Sequence, residues 1–261
     1  DAYFARSPIS VWKASRGFGG KSAMLSILCL TEILTLECGV TILGGSGAQS
    51  QNVHRSADSA WAAPNAPRKL LDKSTMFDTT LHSGGWMRSL TASETAVRGP
   101  HPLRLRMDEI DEMNLQILES AQGQPMRDRL KPHLDTQTVM SSTHQHPDGT
   151  MTAILARAKE QDWPVYHWCY KETSNPKDGW LTQDEIARKR KEITAAMWRT
   201  EYDLQEPSFA GRAIDSDCVA AAFDPSLGTY TGEEHKTVQI EAPGSGIASV
   251  VNLAISPPKI L

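Results

Sequence analysis

A short apolar run, a glycine-rich loop and a helix-length apolar segment follow one another between residues 11 and 36, and this order limits the fold more than any other feature. Val11-Trp12-Lys13 reads as a strand, residues 14–22 as the loop, and residues 23–36 as a helix ended by Gly39. Residues 40–43 read as the next strand, closed by Gly44-Gly45. Strand, loop, helix and strand within about thirty residues make a βαβ unit, which requires a parallel sheet.

The loop itself is Ser15-Arg16-Gly17-Phe18-Gly19-Gly20-Lys21-Ser22. It follows the phosphate-binding pattern G-x-x-x-x-G-K-[ST], with Ser15 standing where the first glycine belongs. Gly17, Gly19 and Gly20 let backbone N–H groups turn inward around phosphate oxygens, at the positive end of the following helix. Lys21 then reaches the β- and γ-phosphates of ATP, and the Ser22 hydroxyl ligates Mg²⁺. The bland alternative is a glycine-rich turn with a chance Lys-Ser, and the loop alone does not decide between them.

A second half-site lies further along. Leu103-Arg104-Leu105-Arg106-Met107-Asp108-Glu109 reads as an alternating strand that ends in two adjacent acids. A carboxylate at the C-terminal end of such a strand faces the crevice beside the phosphate loop. Asp108 would hold Mg²⁺ there, directly or through water, and Glu109 would polarise the attacking water as a general base. The competing reading treats Asp108, Glu109, Asp111 and Glu112 as an acidic helix start that suits the helix dipole. Both halves in this order favour a nucleotide site.

The remaining pattern supports one α/β domain. Residues 49–60, 110–121, 150–161 and 183–199 read as helices, and 73–81, 86–90, 104–107 and 138–141 as strands. Strands alternating with helices imply a doubly wound, mainly parallel sheet flanked by helices. From about Glu206 to Leu261 prolines, glycines and small residues dominate, with no strong amphipathic helix. Residues 1–205 therefore read as the main domain, and 206–261 as a linker or the incomplete start of a second. The first residue is Asp1 and not Met, so the chain reads as a fragment or a processed form.

No run of eighteen apolar residues occurs, which gives no membrane-spanning helix. The formal charge of −4 argues against a surface that coats nucleic acid throughout, while leaving room for a local basic groove. Cys29, Cys38, Cys169 and Cys218 form no C-x-x-C pair, so neither zinc nor a disulfide framework is expected, and a reducing cytoplasm fits.

Several separate motifs, in order, resemble the large subunit of tailed-phage terminases. They are residues 14–22, Leu43-Gly44-Gly45-Ser46 with Gln49-Ser50-Gln51, and Arg98-Gly99-Pro100-His101-Pro102. Met107-Asp108-Glu109-Ile110-Asp111-Glu112 and Ser141-Ser142-Thr143-His144 follow, and the likeness continues through Glu201-Tyr202. Ser15 departs from the family's usual glycine.

The resemblance implies a RecA-like (ASCE) P-loop NTPase that threads double-stranded DNA through the portal into a procapsid. It also implies a terminase small subunit as partner and an active homo-oligomeric ring, a pentamer. The location implied is the host cytoplasm, with transient docking at the portal vertex. Lys21 and Ser22 take the phosphate and Mg²⁺ contacts, Asp108 the metal and Glu109 the catalytic acid. Ser141, Ser142 and Thr143 fall at the coupling motif, where hydroxyls sense the γ-phosphate, with Ser142 and Thr143 as the nucleotide contacts. Arg98 matches an arginine finger that reaches a neighbouring subunit, while Arg16 would act in cis from inside the loop. The family's C-terminal RNase H-like nuclease has no strand-borne match after Asp215 and Asp217.

Two other classes remain open on sequence. A helicase-like P-loop translocase shares the loop and the acid pair but needs a second motor domain. A non-catalytic P-loop assembly protein would not need Glu109. His144 and His146 read as a polar loop and not as a metal pair. Trp163, Tyr166, His167, Trp168 and Tyr170 read as core and strand packing. Arg188-Lys189-Arg190-Lys191 reads as a solvated helix face.

Overall fold

The computed structural model describes residues 7–93, 101–174 and 180–207, all within one unit that ends at Pro207. Its strands are β1 (Ile9–Ala14), β2 (Gly39–Gly44), β3 (Leu71–Ser74), β4 (Asp78–Leu81), β5 (Trp86–Thr91), β6 (Arg104–Asp108), β7 (Gln137–Ser142) and β8 (Val165–Trp168). They form one sheet in the order β3-β4-β5-β2-β6-β7-β1-β8. Pairing is parallel from β5 through β8, and antiparallel only among β3, β4 and β5. Strand β7 stands between β1, which feeds the glycine loop, and β6, which ends in the acid. That extra strand defines the RecA-like form of the P-loop fold.

Both faces of the sheet are covered. On one side α1 (Lys21–Thr35) and α2 (Gly47–Ser59) supply Leu25, Cys29, Ile33, Val53 and Ala57, packed on Trp12, Val40, Ile42 and Val139. On the other, α3 (Leu115–Gln122) and α4 (Thr150–Glu160) supply Leu118, Ala121, Met151 and Ile154 against Val11, Leu43, Leu105, Met107 and Met140. Central parallel strands are buried on both faces, and β6 and β7 are buried at every residue. A third apolar cluster, Leu181, Ile186, Trp198 and Tyr202, takes in Phe18 from the glycine loop.

The structure departs from the sequence reading at several element boundaries. Residues 183–199 are not one helix. Helix α6 (Gln183–Glu192) stops at Ile193, whose backbone is extended, and Thr194 caps a new turn by accepting from the Met197 N–H at 3.2 Å. The new turn, α7 (Ala195–Met197), runs into a π-helical turn at Trp198–Tyr202. Residues 73–81 are not one strand either, because the Thr75 hydroxyl accepts from Asp78 N–H at 3.1 Å and turns the chain between β3 and β4. Residues 110–121 divide into a 3₁₀ turn (Ile110–Glu112) and α3, which Asn114 caps.

Gly39 does not end α1. That helix closes through Leu36 and the left-handed Glu37 (φ 52°), and Gly39 opens β2. A Cβ at Gly39 would lie 2.4 Å from the Trp86 ring, so close packing excludes a side chain. Strand β8 falls within the aromatic stretch 163–170, where packing of this kind is expected.

Candidate functional site

Every element at this site meets at the C-terminal edge of the parallel strands, where an open α/β sheet forms its crevice. The glycine loop leaves β1 at Ala14 and enters α1 at Lys21. Gly17 (φ 66°) and Gly20 (φ 67°) take the left-handed conformation that favours glycine. Gly19 is needed for a different reason, since a Cβ there would lie 2.8 Å from the Ser15 carbonyl oxygen. No side chain caps α1, so its first N–H groups stay open toward the loop. An N-terminus in that state attracts anions.

Ser15 explains itself through its partners. Its hydroxyl donates to the Tyr202 carbonyl at 2.5 Å and accepts from the Tyr170 N–H at 3.0 Å. The side chain points out of the loop and fastens it to α5 (Tyr170–Thr173) and to the π-helical turn. Two further bonds tie the loop from the same side: Trp168 Nε1 donates to the Gly19 carbonyl at 2.6 Å, and the Thr173 hydroxyl to the Phe18 carbonyl at 2.8 Å. Trp198 and Tyr202 stack with ring centroids 4.7 Å apart, and Phe18 meets Tyr202 edge-on at 5.3 Å. The aromatic stretch thus braces the loop.

The acid strand brings its carboxylate to the start of α1. Ser22 Oγ donates to Asp108 Oδ2 at 2.5 Å, and Ser141 Oγ donates to Asp108 Oδ1 at 2.6 Å. Register explains the meeting, since Asp108 sits opposite Ser141 on β7 and Gly44 on β2. Lys21 Nζ lies 3.0 Å from Thr143 Oγ1 and 3.4 Å from a Glu109 oxygen. Lys21 is buried, and its ammonium is held between Glu109 and Thr143.

Glu109 has the left-handed backbone (φ 53°, ψ 51°). A non-glycine residue there carries strain of about 1–3 kcal/mol, a cost that clusters at functional sites. Its Oε2 is buried and makes no hydrogen bond. Burial pushes the carboxyl above its ordinary range; Lys21 opposes the shift and Asp108 adds to it.

The three hydroxyls of Ser141, Ser142 and Thr143, at and just past the end of β7, do different work. Ser141 fixes Asp108 and Thr143 meets Lys21, but Ser142 is turned the other way. Its Oγ accepts from the Asp111 N–H at 3.1 Å and donates to the Thr143 carbonyl at 3.0 Å. Asp111 is an anchor, accepting from the N–H groups of Gln145 (2.7 Å), His146 (3.0 Å) and Met151 (2.8 Å). Arg16 is half exposed and paired with Glu201 at 2.8 Å. Arg98 lies outside the described residues, as do Asp215 and Asp217.

Sequence reasoning places Ser141 in the coupling motif and misses its bond to Asp108. Its signal is the run of hydroxyls, whose alternation along β7 sends Ser141 and Ser142 to opposite sides. His144 donates or accepts at Thr152 Oγ1 (2.7 Å), and no group of three His, Cys, Asp or Glu among the described residues could hold a metal alone. Ser22 and Asp108 could hold a cation only with further oxygens from a ligand or water. One hydroxyl and one carboxylate are the protein share that Mg²⁺ takes at a nucleotide.

An open pocket of about 760 Å³ lies over the loop, lined by Gly17, Gly19, Gly20, Lys21, Ser22 and Glu109, among others. That volume is within the range of small-molecule sites.

In comparisons with known proteins, no family model and no curated protein matches the chain. Among solved structures it is similar to the large terminase of a thermophilic bacteriophage, with 12% identity and a TM-score of 0.60. That match covers 76% of this chain and 48% of the other. The same terminase in complex with ADP matches with 12% identity and a TM-score of 0.59 over the same shares. The HK97 bacteriophage large terminase matches with 14% identity and a TM-score of 0.50, over 85% of this chain and 44% of that one. At these identities the likeness is one of fold, and the chain spans about half the length of these three terminase chains.

Proposed function

We propose that this chain is the ATP-hydrolysing motor of a terminase large subunit that drives double-stranded DNA into a procapsid. One observation carries the reading: Ser22 and Ser141 converge on Asp108 while Lys21 meets Glu109 and Thr143, with Lys21, Ser22 and Glu109 lining one pocket at the phosphate loop. The fold likeness to phage large terminases, one of them in complex with ADP, supports the step from nucleotide site to packaging.

In this reading the loop N–H groups and Lys21 hold the β- and γ-phosphates. Ser22 and Asp108 would hold Mg²⁺, which would supply charge that neutralises the phosphates. Glu109, left with a free buried oxygen, orients and polarises the attacking water. Lys21 exchanges Glu109 for phosphate when nucleotide enters, which frees the carboxylate for that task. Thr143 senses the γ-phosphate through Lys21. Arg98 serves as an arginine finger to a neighbouring subunit of a homo-oligomeric, pentameric ring, with Arg16 released from Glu201 as the cis alternative. The portal, the procapsid and a terminase small subunit are the partners, and the host cytoplasm is the location. Cleavage of the DNA is left to a nuclease.

The test is the ATPase rate of the full chain and of Glu109→Gln, each with and without DNA and portal-bearing procapsids. A DNA- and procapsid-stimulated rate that Glu109→Gln abolishes is expected. No Glu109-dependent hydrolysis under any of those conditions would overturn the motor reading.

A further inference from the structure

Large apolar side chains rarely stay in water without a reason when they gather in one place. Met24 (46% exposed), Ile27 (65%) and Trp180 (60%) are among the large hydrophobic residues left exposed, and all three line the phosphate-loop pocket. Met24 and Ile27 project from the first turns of α1, just beyond Ser22. Trp180 comes from a distant part of the chain. Its neighbour Leu181 is buried in the third apolar cluster, and the following Thr182 and Glu185 cap α6 reciprocally. Trp180 is thus held next to the loop by an anchored backbone, with its indole outside the core.

We propose that Trp180, with Met24 and Ile27, forms a stacking platform for the base of the bound nucleotide, which takes purines without reading their edges. The inference rests on the phosphate-site reading above and extends it. The occupant follows from continuity: phosphates at Lys21 leave the rest of a nucleoside triphosphate in the same pocket, where Met24, Ile27 and Trp180 form an apolar part of the wall beside Glu172 and Thr173. An indole face and a thioether are good partners for a flat π-system.

The edge-blind reading rests on the described polar side chains that line this part of the pocket. Trp168 Nε1 is committed to the Gly19 carbonyl, the Thr173 hydroxyl to the Phe18 carbonyl, and Glu172 Oε2 accepts from the Cys169 N–H at 2.8 Å. Base stacking alone tolerates any base and favours the larger ring system.

Calorimetric titration of the full chain with MgATP, MgGTP, MgUTP and magnesium tripolyphosphate tests this. ATP and GTP should bind within about tenfold of each other, and UTP more weakly. Trp180→Ala should weaken ATP and GTP by about tenfold to a hundredfold, the usual loss on removing a base-stacking aromatic. Trp180→Phe should restore most of it, and tripolyphosphate affinity should be the same in all three proteins. Discrimination between ATP and GTP beyond a hundredfold would overturn the edge-blind reading. Unchanged ATP affinity in Trp180→Ala, with tripolyphosphate still binding, would overturn the platform, as would a change of oligomeric state in place of affinity. Failure of tripolyphosphate to bind, or binding that survives Lys21→Ala, would instead sink the phosphate site beneath it.

Discussion

Glu32, on the helix that follows the phosphate loop, forms an ion pair with Arg106 on the strand that carries the acid pair, and both side chains are fully buried. Arg106 Nε donates to Glu32 Oε2 at 3.1 Å, its second nitrogen reaches Gln137 Oε1 at 2.9 Å, and Arg104 adds a second cation 3.0 Å from Glu32. Two buried arginines depend on one carboxylate. The link fixes α1 against β6, and so Ser22 against Asp108.

Removing that carboxylate leaves charge buried without a counter-ion, which costs about 3–5 kcal/mol when one partner of such a pair is lost. Glu32→Gln keeps the shape and removes the charge. Urea unfolding should show a loss of that size, large against the stability of a domain. A loss below about 1 kcal/mol would mean that water or a rearranged side chain already compensates the arginines.

Strand β6 also shows where sequence reading reached its limit. Leu103-Arg104-Leu105-Arg106 alternates as a half-exposed strand does, yet every residue of β6 is buried, because the polar face is spent on Glu32 rather than on water. The partner lies in α1, too distant in sequence for periodicity to reveal. The glycine loop, the acid pair and the parallel sheet were legible because each depends on residues close together in the chain. The split of helix 183–199 was not, since Ile193 and Trp198 answer to the third apolar cluster, whose Phe18 comes from the other end of the domain. Ser15 stands in the sequence as a flaw in a motif, and its two partners, Tyr170 and Tyr202, lie more than 150 residues away.

Restoring the consensus at that position should therefore harm the protein. Ser15→Gly removes a buried hydroxyl that satisfies one carbonyl and one N–H, and adds backbone freedom to the unfolded chain. A buried backbone group left without a partner costs about 1–3 kcal/mol. Thermal unfolding of Ser15→Gly should show a lower Tm, with Ser15→Thr in between because it keeps the hydroxyl. An equal or higher Tm for Ser15→Gly would show that the loop is held without these bonds.

Glu109 predicts a pH dependence whose sign is fixed. Its carboxyl is raised above the ordinary glutamate range in the folded chain, chiefly by burial. Between the unfolded and folded pKa values the folded state binds more protons, so stability falls as pH rises through that window and stays reduced above it. Glu109→Gln removes this slope. Unfolding free energies of the two proteins, measured from acid to neutral pH, should therefore diverge with rising pH in the variant's favour. Hydrolysis runs the opposite way, since water activation needs the ionised carboxylate, and its acid limb should lie above the usual glutamate pKa. Parallel stability profiles for the two proteins would remove the basis for both statements.

Ser141 gives the sharpest test of the metal reading, because it touches Asp108 without being a candidate ligand. Asp108 Oδ1 accepts from Ser141 at 2.6 Å and also from the Glu109 N–H at 3.1 Å, while Oδ2 faces Ser22. The Ser141 bond therefore aims the carboxylate at the start of α1. Supporting groups of this kind cost about tenfold to a hundredfold in metal affinity when removed. Ser141→Ala should raise the Mg²⁺ concentration for half-maximal ATPase by that factor, with the rate at saturating Mg²⁺ nearly recovered. Ser142→Ala offers the control, since its hydroxyl serves Asp111 and the Thr143 carbonyl, away from Asp108. A rate in Ser141→Ala that no Mg²⁺ concentration restores would place Ser141 in the chemistry itself. Equal Mg²⁺ dependence in the two variants would mean that Asp108 does not hold the ion.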